Sequence, residues 1–455
     1  MPTITERLRA AYQGFKTGMS PFDSGVNESR QYESDDERLL KYAERWAWYQ
    51  GYLRRENNRV VTRSQRKRLK FNFVRPICGM AAGWAAGPKV TWLVSGESDE
   101  QTKALSAMAQ AIWDRSEGDA EFLQAALTGS IYGDLVLSVK RGMDGRIMLE
   151  WCNPFQCVPI FDPGDVSRLV AMRICYGEGA SRYEEVWEPG RLTVTKGDAK
   201  QGSVEETQLL TNEVPFAWIP NMAIKGQAFG DAEPDAVMPL IQEYDHVASK
   251  ETRIIDRYSS PTIWASGVRK EDAALEKGLE TVFYTPDPNS KVQYLEWHGN
   301  RPDVKEQLDR IRNAISEVSE TPNIAFGQID SGFSGASGVS LKVLYGPANG
   351  KRDRKRSLWG PRIERMMHLA LTEEGVTLDP EQVSIVWSDA TPQSELEVLQ
   401  ALEAKHRLGA TAERVLVEAG YSPEDAAQMV EEGRQEDERK AEQQARMFSR
   451  GSVID

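Results

Sequence analysis

Apolar positions recur at two different periods along this chain. Between residues 37 and 53, Leu39, Tyr42, Ala43, Trp46 and Tyr49 fall near one face of a helix. Asp99–Ser116 and Asp119–Ile131 read the same way. The second carries Phe122, Leu123, Ala126 and Leu127 in register, with Asp119 near its start to suit the helix dipole. The period then drops to two. Leu135, Leu137 and Val139 alternate, Asp144-Gly145 marks a tight turn, and Ile147, Leu149 and Trp151 alternate again, a β-hairpin pattern. Further strands are expected at Gln156–Phe161, Arg168–Tyr176, Tyr183–Glu188, Arg191–Thr195 and Phe216–Pro220. Helices followed by an antiparallel meander predict an α+β domain.

The helical period returns at Leu240–Tyr258, with Leu240, Ile241, Tyr244, Val247, Ala248, Ile254, Ile255 and Tyr258 toward one side; Ser260-Pro261 stops it. The insert Thr262–Pro302 holds strand-like pieces and turns but is too short for a core of its own, so it is expected to pack on neighbours, including copies of itself. In Val304–Glu320 the apolar residues Val304, Leu308, Ile311, Ile315 and Val318 are spaced four, three, four and three apart, a heptad seam. That helix is about 25 Å long. A seam this short either packs within a larger assembly or belongs to an ordinary amphipathic core helix. Thr321-Pro322 follows, then a Gly/Ser loop, Ser331–Gly338, and a helix start at Val339–Tyr345. Past Gly346-Pro347, Ile363, Met366, Met367 and Leu369–Leu371 continue a helical pattern, and Gln382–Trp387 reads as a strand. Ser394–Lys405 and Ala412–Ala419 read as helices, and Ser422-Pro-Glu-Asp425 as a capped helix start. The first thirty or so residues, polar with Gly14, Gly18, Pro21 and Gly25, read as a loosely ordered arm, and the tail beyond Glu431 as a charged, solvated end.

At 455 residues the chain exceeds one ordinary core, so two or more substructures are expected. Its 40% hydrophobic and 27% charged content fits a folded, soluble protein. The formal net charge of -13 argues against tight, general DNA binding, which favours a basic face. It leaves room for DNA passing through an acidic conduit. Two basic runs stand out, Arg63–Lys70 and Lys351–Arg356. Each reads either as a phosphate contact or as a solvated or bridging face, the commoner fate of charge runs.

Little chemistry is legible. The four cysteines, Cys78, Cys152, Cys157 and Cys175, form no CxxC, and the four histidines are scattered, so no metal or cofactor is expected; buried, reduced thiols are. The Gly/Ser loop lacks the GxxxxGK[ST] pattern, and Ser334 and Ser337 lack a GxSxG elbow. Acid pairs such as Glu184-Glu185 sit in polar surroundings. A non-enzyme is expected. No signal peptide is visible, and the apolar run Ile77–Val94, broken by Pro88 and Lys89, is too interrupted to span a bilayer.

Several segments, in order, carry a resemblance. They are Asn72-Phe-Val-Arg-Pro-Ile77, then Gly87-Pro-Lys-Val90, then Ile131-Tyr-Gly-Asp134 with the Asp144-Gly145 turn. Asn153-Pro154 with Val158-Pro-Ile160 follows, and last Ser337-Gly-Val-Ser-Leu-Lys342 with Tyr345. From about residue 35 to about 420 the chain resembles the portal proteins of tailed double-stranded DNA bacteriophages, of the siphophage type.

The resemblance implies a ring, usually a dodecamer, at one capsid vertex of the virion, assembled in the host cytoplasm. It implies an arm (1–34), an α/β wing (35–239) and a stem helix (240–261). A small α/β clip (262–302), a second stem helix (303–326), a tunnel loop with a long wing helix (327–391) and a helical crown with charged tail (392–455) follow. Val304, Leu308, Ile311, Ile315 and Val318 would pack the stem. Ser331, Gly332, Phe333, Ser334, Gly335 and Lys342 would face DNA, and Lys351, Arg352, Arg354, Lys355 and Arg356 are candidate basic contacts. Implied partners are further copies of the chain, double-stranded DNA, the terminase large subunit, a head–tail adaptor, and the major capsid and scaffolding proteins, with no membrane. The alternatives are a virion adaptor without DNA traffic and a metal-dependent nuclease.

Overall fold

The computed structural model describes residues 35–51, 69–142, 144–176, 183–197, 203–208, 212–258, 263–266, 289, 291–294, 302–327, 343–388, 404–405, 407, 409, 411–418, 421, 425–435 and 439. Within them helix and strand are mixed. Helix α1 (Asp35–Tyr49) is followed by α2 (Val74–Ala86), strand β1 (Val90–Val94), α3 (Asp99–Arg115) and α4 (Gly118–Tyr132). Seven strands come next: β2 (Asp134–Arg141), β3 (Ile147–Cys152), β4 (Cys157–Asp162), β5 (Asp165–Tyr176), β6 (Tyr183–Glu188), β7 (Arg191–Lys196) and β8 (Ser203–Gln208). β9 (Phe216–Pro220) then leads to α5 (Met238–Tyr258), β10 (Ile263–Ser266), β11 (Lys291–Tyr294) and α6 (Pro302–Ser319). Last come α7 (Gly346–Glu373), β12 (Val383–Trp387) and α8 (Ala412–Glu418).

Among the described residues all strand pairs are antiparallel. β3-β2-β9 form one sheet and β4-β5-β6-β7-β8 a second; β1 pairs β12, and β10 pairs β11. The hairpin register places Leu137 opposite Trp151 and Val139 opposite Leu149, as the alternation predicts. β1 and β12 come from distant parts of the sequence, Val90 opposite Trp387, so α7 and the N-terminal helices close on one core. That core joins Trp92, Trp113, Phe122, Leu135, Leu137, Trp359, Ile363 and Met366. A second core, under the helix pair α5–α6, holds Trp48, Phe73, Ile77, Ile241, Tyr244, Ala248, Ile311 and Ile315. A third, with Val136, Cys157, Phe161, Met172 and Trp218, fills the joint between the two large sheets.

Some inward faces differ from the expected ones. In α1, Trp46 is 43% exposed, while Arg38 and Arg45 turn inward. They do so because partners await them. Arg38 donates to Pro154 O (3.3 Å) and Cys157 O (2.9 Å) and lies over the Tyr42, Trp218 and Phe229 rings, and Arg45 Nε donates to Asp235 Oδ1 at 3.0 Å. In α4, Leu123 is exposed although Phe122 and Ala126 are buried. Below α1 sits the buried Asp134, which accepts from Tyr42 OH (2.6 Å), Trp218 Nε1 (3.0 Å) and Gly230 N (2.9 Å). Burial pushes its carboxyl up to about 6, against the opposing pull of the Tyr42 and Gly230 hydrogen bonds.

Candidate functional site

The elements that carry the expected stem are α5 and α6. They share one core through Ile241, Tyr244 and Ala248 on one and Ile311 and Ile315 on the other, with Leu308 partly buried beside them. The four-three spacing of Leu308, Ile311 and Ile315 is what turns one stripe of α6 onto α5. Val304 is partly buried, and Val318 is 49% exposed. The middle of the seam, Ile311 and Ile315, is therefore buried inside one chain, and its end at Val318 is not.

Polar contacts fix the pair to the segment that leads into α2. Phe71 N donates to Asp245 Oδ1 (2.9 Å) and Leu69 N to Ser249 Oγ (3.0 Å), both on α5. Burial lifts the Asp245 carboxyl to about 6, against the opposing pull of the Phe71 amide and Lys70. Arg312 of α6 donates to Tyr244 OH at 3.2 Å and lies over the Tyr244 and Phe73 rings. α6 ends where Glu320 adopts a φ of 52°, and Thr321 N returns to Ser316 O at 3.0 Å.

The C-terminal end of α6 is held by α7. Lys351 Nζ donates to Ser319 O, one of the terminal carbonyls of α6, and to Glu233 Oε2 at 2.7 Å. Lys355 Nζ meets Glu233 Oε1 at 2.6 Å and Ser130 Oγ at 3.4 Å. Glu233 N donates to Ser130 O at 3.0 Å. One carboxylate thus joins α4, the segment before α5, the end of α6 and the start of α7. Burial alone would raise the Glu233 pKa, but the Lys355 and Lys351 ammoniums overcome it and hold the carboxyl at about 2. Lys355 is lowered, by burial first, with Glu233 opposing.

The side chains of the basic run Lys351–Arg356 meet groups of the protein itself. Lys351 and Lys355 are buried and both are ion-paired to Glu233, so within this chain their ammoniums point into the fold. Arg356 donates to Ala85 O and Ser388 O, both at 2.9 Å, and lies over Trp387, tying α2 to β12. Arg352 is ion-paired to Asp353 at 2.9 Å, and Arg354 to Glu320. The signal for the inward lysines was in the sequence. Ala348, Lys351, Lys355, Trp359 and Ile363 are spaced three, four, four and four, one helical stripe that continues into the core. Glu233 carried no such signal, because the lysines it pairs with lie more than a hundred residues away.

The expected DNA-facing residues Ser331, Gly332, Phe333, Ser334, Gly335 and Lys342 lie outside the described residues, as does most of the insert 262–302. Of that insert, Ile263–Ser266 and Lys291–Tyr294 form a two-stranded ladder. Among the described residues no cluster of His, Cys, Asp and Glu is placed to hold a metal, and no helix is long and apolar enough to cross a membrane.

Comparison with known proteins adds the following. The neck of an empty gene transfer agent particle, computed with C6 symmetry, is similar over 80% of this chain and 94% of that one, at 12% identity and a TM-score of 0.47. The native gene transfer agent virion gives 90% and 98% coverage, 9% identity and a TM-score of 0.46. The native neck computed with C12 symmetry gives 77% and 91%, 10% and 0.45. No match was found among curated proteins. The family described as "Phage portal protein, SPP1 Gp6-like" matches residues 29–443. With the match running through the two large sheets, the helix pair and α7, the chain belongs to this phage portal protein family, whose members are structural parts of the virion and not enzymes.

Proposed function

We propose that this chain is one subunit of a ring, dodecameric by family resemblance, that forms the DNA channel at a single capsid vertex. Double-stranded DNA would be packaged through it and later ejected. The observation that carries this reading is the α5–α6 pair within the family match, its far end locked to α7 by Lys351 and Glu233. A helix pair held rigidly at one end suits a channel wall, and a cyclic ring joins one patch of each copy to a different patch of the next. In this reading residues 35–239 are the wing, 240–261 and 303–326 the stem, 262–302 the clip, 327–391 the tunnel loop and long helix, and 392–455 the crown. Ser331, Gly332, Phe333, Ser334, Gly335 and Lys342 face the DNA. The terminase large subunit and then a head–tail adaptor dock at the clip, and the capsid and scaffolding proteins meet the wing. The net charge of -13 keeps phosphate contacts few, so that DNA slides.

Negative-stain imaging of the purified chain tests the ring. Closed rings with a central hole wide enough for a duplex support it, and a chain that stays monomeric at all concentrations overturns it. Shortening Ser331–Gly338 tests the channel role. Assembly intact with DNA packaging impaired supports it; packaging unchanged removes the loop from the mechanism.

A further inference from the structure

The helix pair carries opposite charge on its two outward faces. On α5, Ile241, Tyr244 and Ala248 enter the core shared with α6. His246, Lys250 and Arg253 are exposed and follow Tyr244 by two, six and nine residues, which places them about 180–240° round the helix from it. On α6, Ile311 and Ile315 face the shared core. Glu306, Asp309, Asn313 and Glu317 are exposed, and all four fall about 160–240° from Ile311. Two cations therefore lie on one outward face and three carboxylates on the other. Each face has a counter-charge. Glu243 is exposed seven residues before Lys250, and Arg310 pairs with Glu306 at 3.4 Å; Lys305 stands off the acidic face, about 120° from Ile311. Among the described residues Lys250, Arg253, Asp309 and Glu317 make no salt bridge. Arg253 is near the end of α5 that leads to β10, and Glu306 near the end of α6 that β11 leads into; β10 and β11 pair, Ile263 opposite Tyr294. The basic and acidic stretches thus belong to the helix ends that one two-stranded ladder joins.

We propose that Lys250 and Arg253 of α5 dock against Glu306, Asp309 and Glu317 of α6 in a second copy of this chain. Within one chain the two faces cannot meet, because the shared core lies between the helices. A second copy placed alongside brings its acidic α6 face to the basic α5 face of the first. The same two patches then remain open at the far sides, so the contact is head-to-tail, the kind that closes into a ring. A two-fold contact of α5 with α5, or of α6 with α6, would instead set like charges together, and the charge pattern selects against it. A single exposed ion pair is worth little. Once a face is covered, a charge left opposite its own sign is costly, and that is where the pattern acts. The inference rests on the ring proposed above and supplies the contact between copies at the helix pair.

The test uses the full chain, imaged by negative stain and sized by sedimentation over a range of concentrations. Lys250→Glu with Arg253→Glu, and separately Glu306→Lys with Asp309→Lys, are each expected to raise the concentration needed for rings at least about tenfold. The chain carrying all four substitutions is expected to form rings again near the wild-type concentration. All four positions are exposed, so thermal unfolding of the unassembled variants is expected to match wild type, which separates loss of rings from loss of fold. Rings kept by either paired variant at the wild-type concentration overturn this contact and leave the ring standing. A folded fourfold chain that fails to regain them does the same. A wild-type chain that forms no ring overturns the ring itself, and this contact with it.

Discussion

Lys351 Nζ lies 2.7 Å from Glu233 Oε2, and both side chains are buried. Lys355 reaches the other oxygen of the same carboxylate at 2.6 Å. Two ammoniums therefore face one carboxylate, and the two ways of unbalancing the group differ in consequence. Glu233→Ala strands both cations, and breaking a buried pair costs about 3–5 kcal/mol. Lys355→Met leaves a one-to-one pair and adds apolar contact beside Trp359, so it is expected to cost clearly less. Urea unfolding of the two variants gives the ranking. Equal losses would mean that Lys355 is as necessary to the group as Glu233.

The buried carboxylates also set a pH profile. Glu233 is held at about 2, below its ordinary 4.5, so its contribution is full above about 4.5 and is lost as pH falls through 2. Asp134 and Asp245 are raised to about 6 from 3.8. Between those values the folded chain binds more protons than the unfolded one, so stability falls as pH rises from about 4 to 6. Thermal unfolding across pH 2 to 8 is expected to show a maximum on the acid side of neutrality. Asp134→Asn, which keeps an acceptor for Trp218 and Gly230, is expected to flatten the limb between pH 4 and 6. An unchanged slope in that variant would remove Asp134 as its source.

Backbone approach makes a third prediction. A Cβ at Gly230 would stand 2.2 Å from Gly133 O, and Gly133 itself has a φ of 98°. Gly230→Ala must part the strand end at Asp134 from the segment that leads to Glu233, and a loss of more than about 3 kcal/mol or insoluble expression is expected. Gly79, inside α2, has nothing within 4 Å of its would-be Cβ. Gly79→Ala is expected to be neutral or to stabilise by up to about 1 kcal/mol. The two glycines, compared by melting temperature, separate close packing from helix propensity.

Local pattern carried much of the fold. The strand Tyr183–Glu188 and the helices α3 to α6 follow from period and turn residues, because each buries one face. α2 escaped, since Val74–Ala86 is apolar and small on nearly every side, with Ile77, Cys78, Ala81, Ala82, Ala85 and Ala86 all buried, and so shows no polar stripe. β8 escaped because Ser203–Gln208 is an edge strand with little apolar content. The β1–β12 ladder and the Glu233 group depend on partners far away in sequence, which no window reveals. At the helix pair the heptad spacing was legible, but which of its residues meet α5 depended on where α6 ends.

That last point can be measured. Ile315 is fully buried against α5, while Val318, three residues on in the same seam, is 49% exposed. Ile315→Ala removes core contacts and is expected to destabilise the single chain by about 2–5 kcal/mol. Val318→Ala removes almost nothing from it and is expected to leave its unfolding curve within about 0.5 kcal/mol of wild type. If the seam also meets a neighbouring copy, Val318→Asp leaves the chain folded and lowers the fraction found in rings by sedimentation. Ring yield unchanged in that variant would confine the seam's role to the α5–α6 contact. The pair of substitutions thus tells a core stripe from an assembly stripe on one helix.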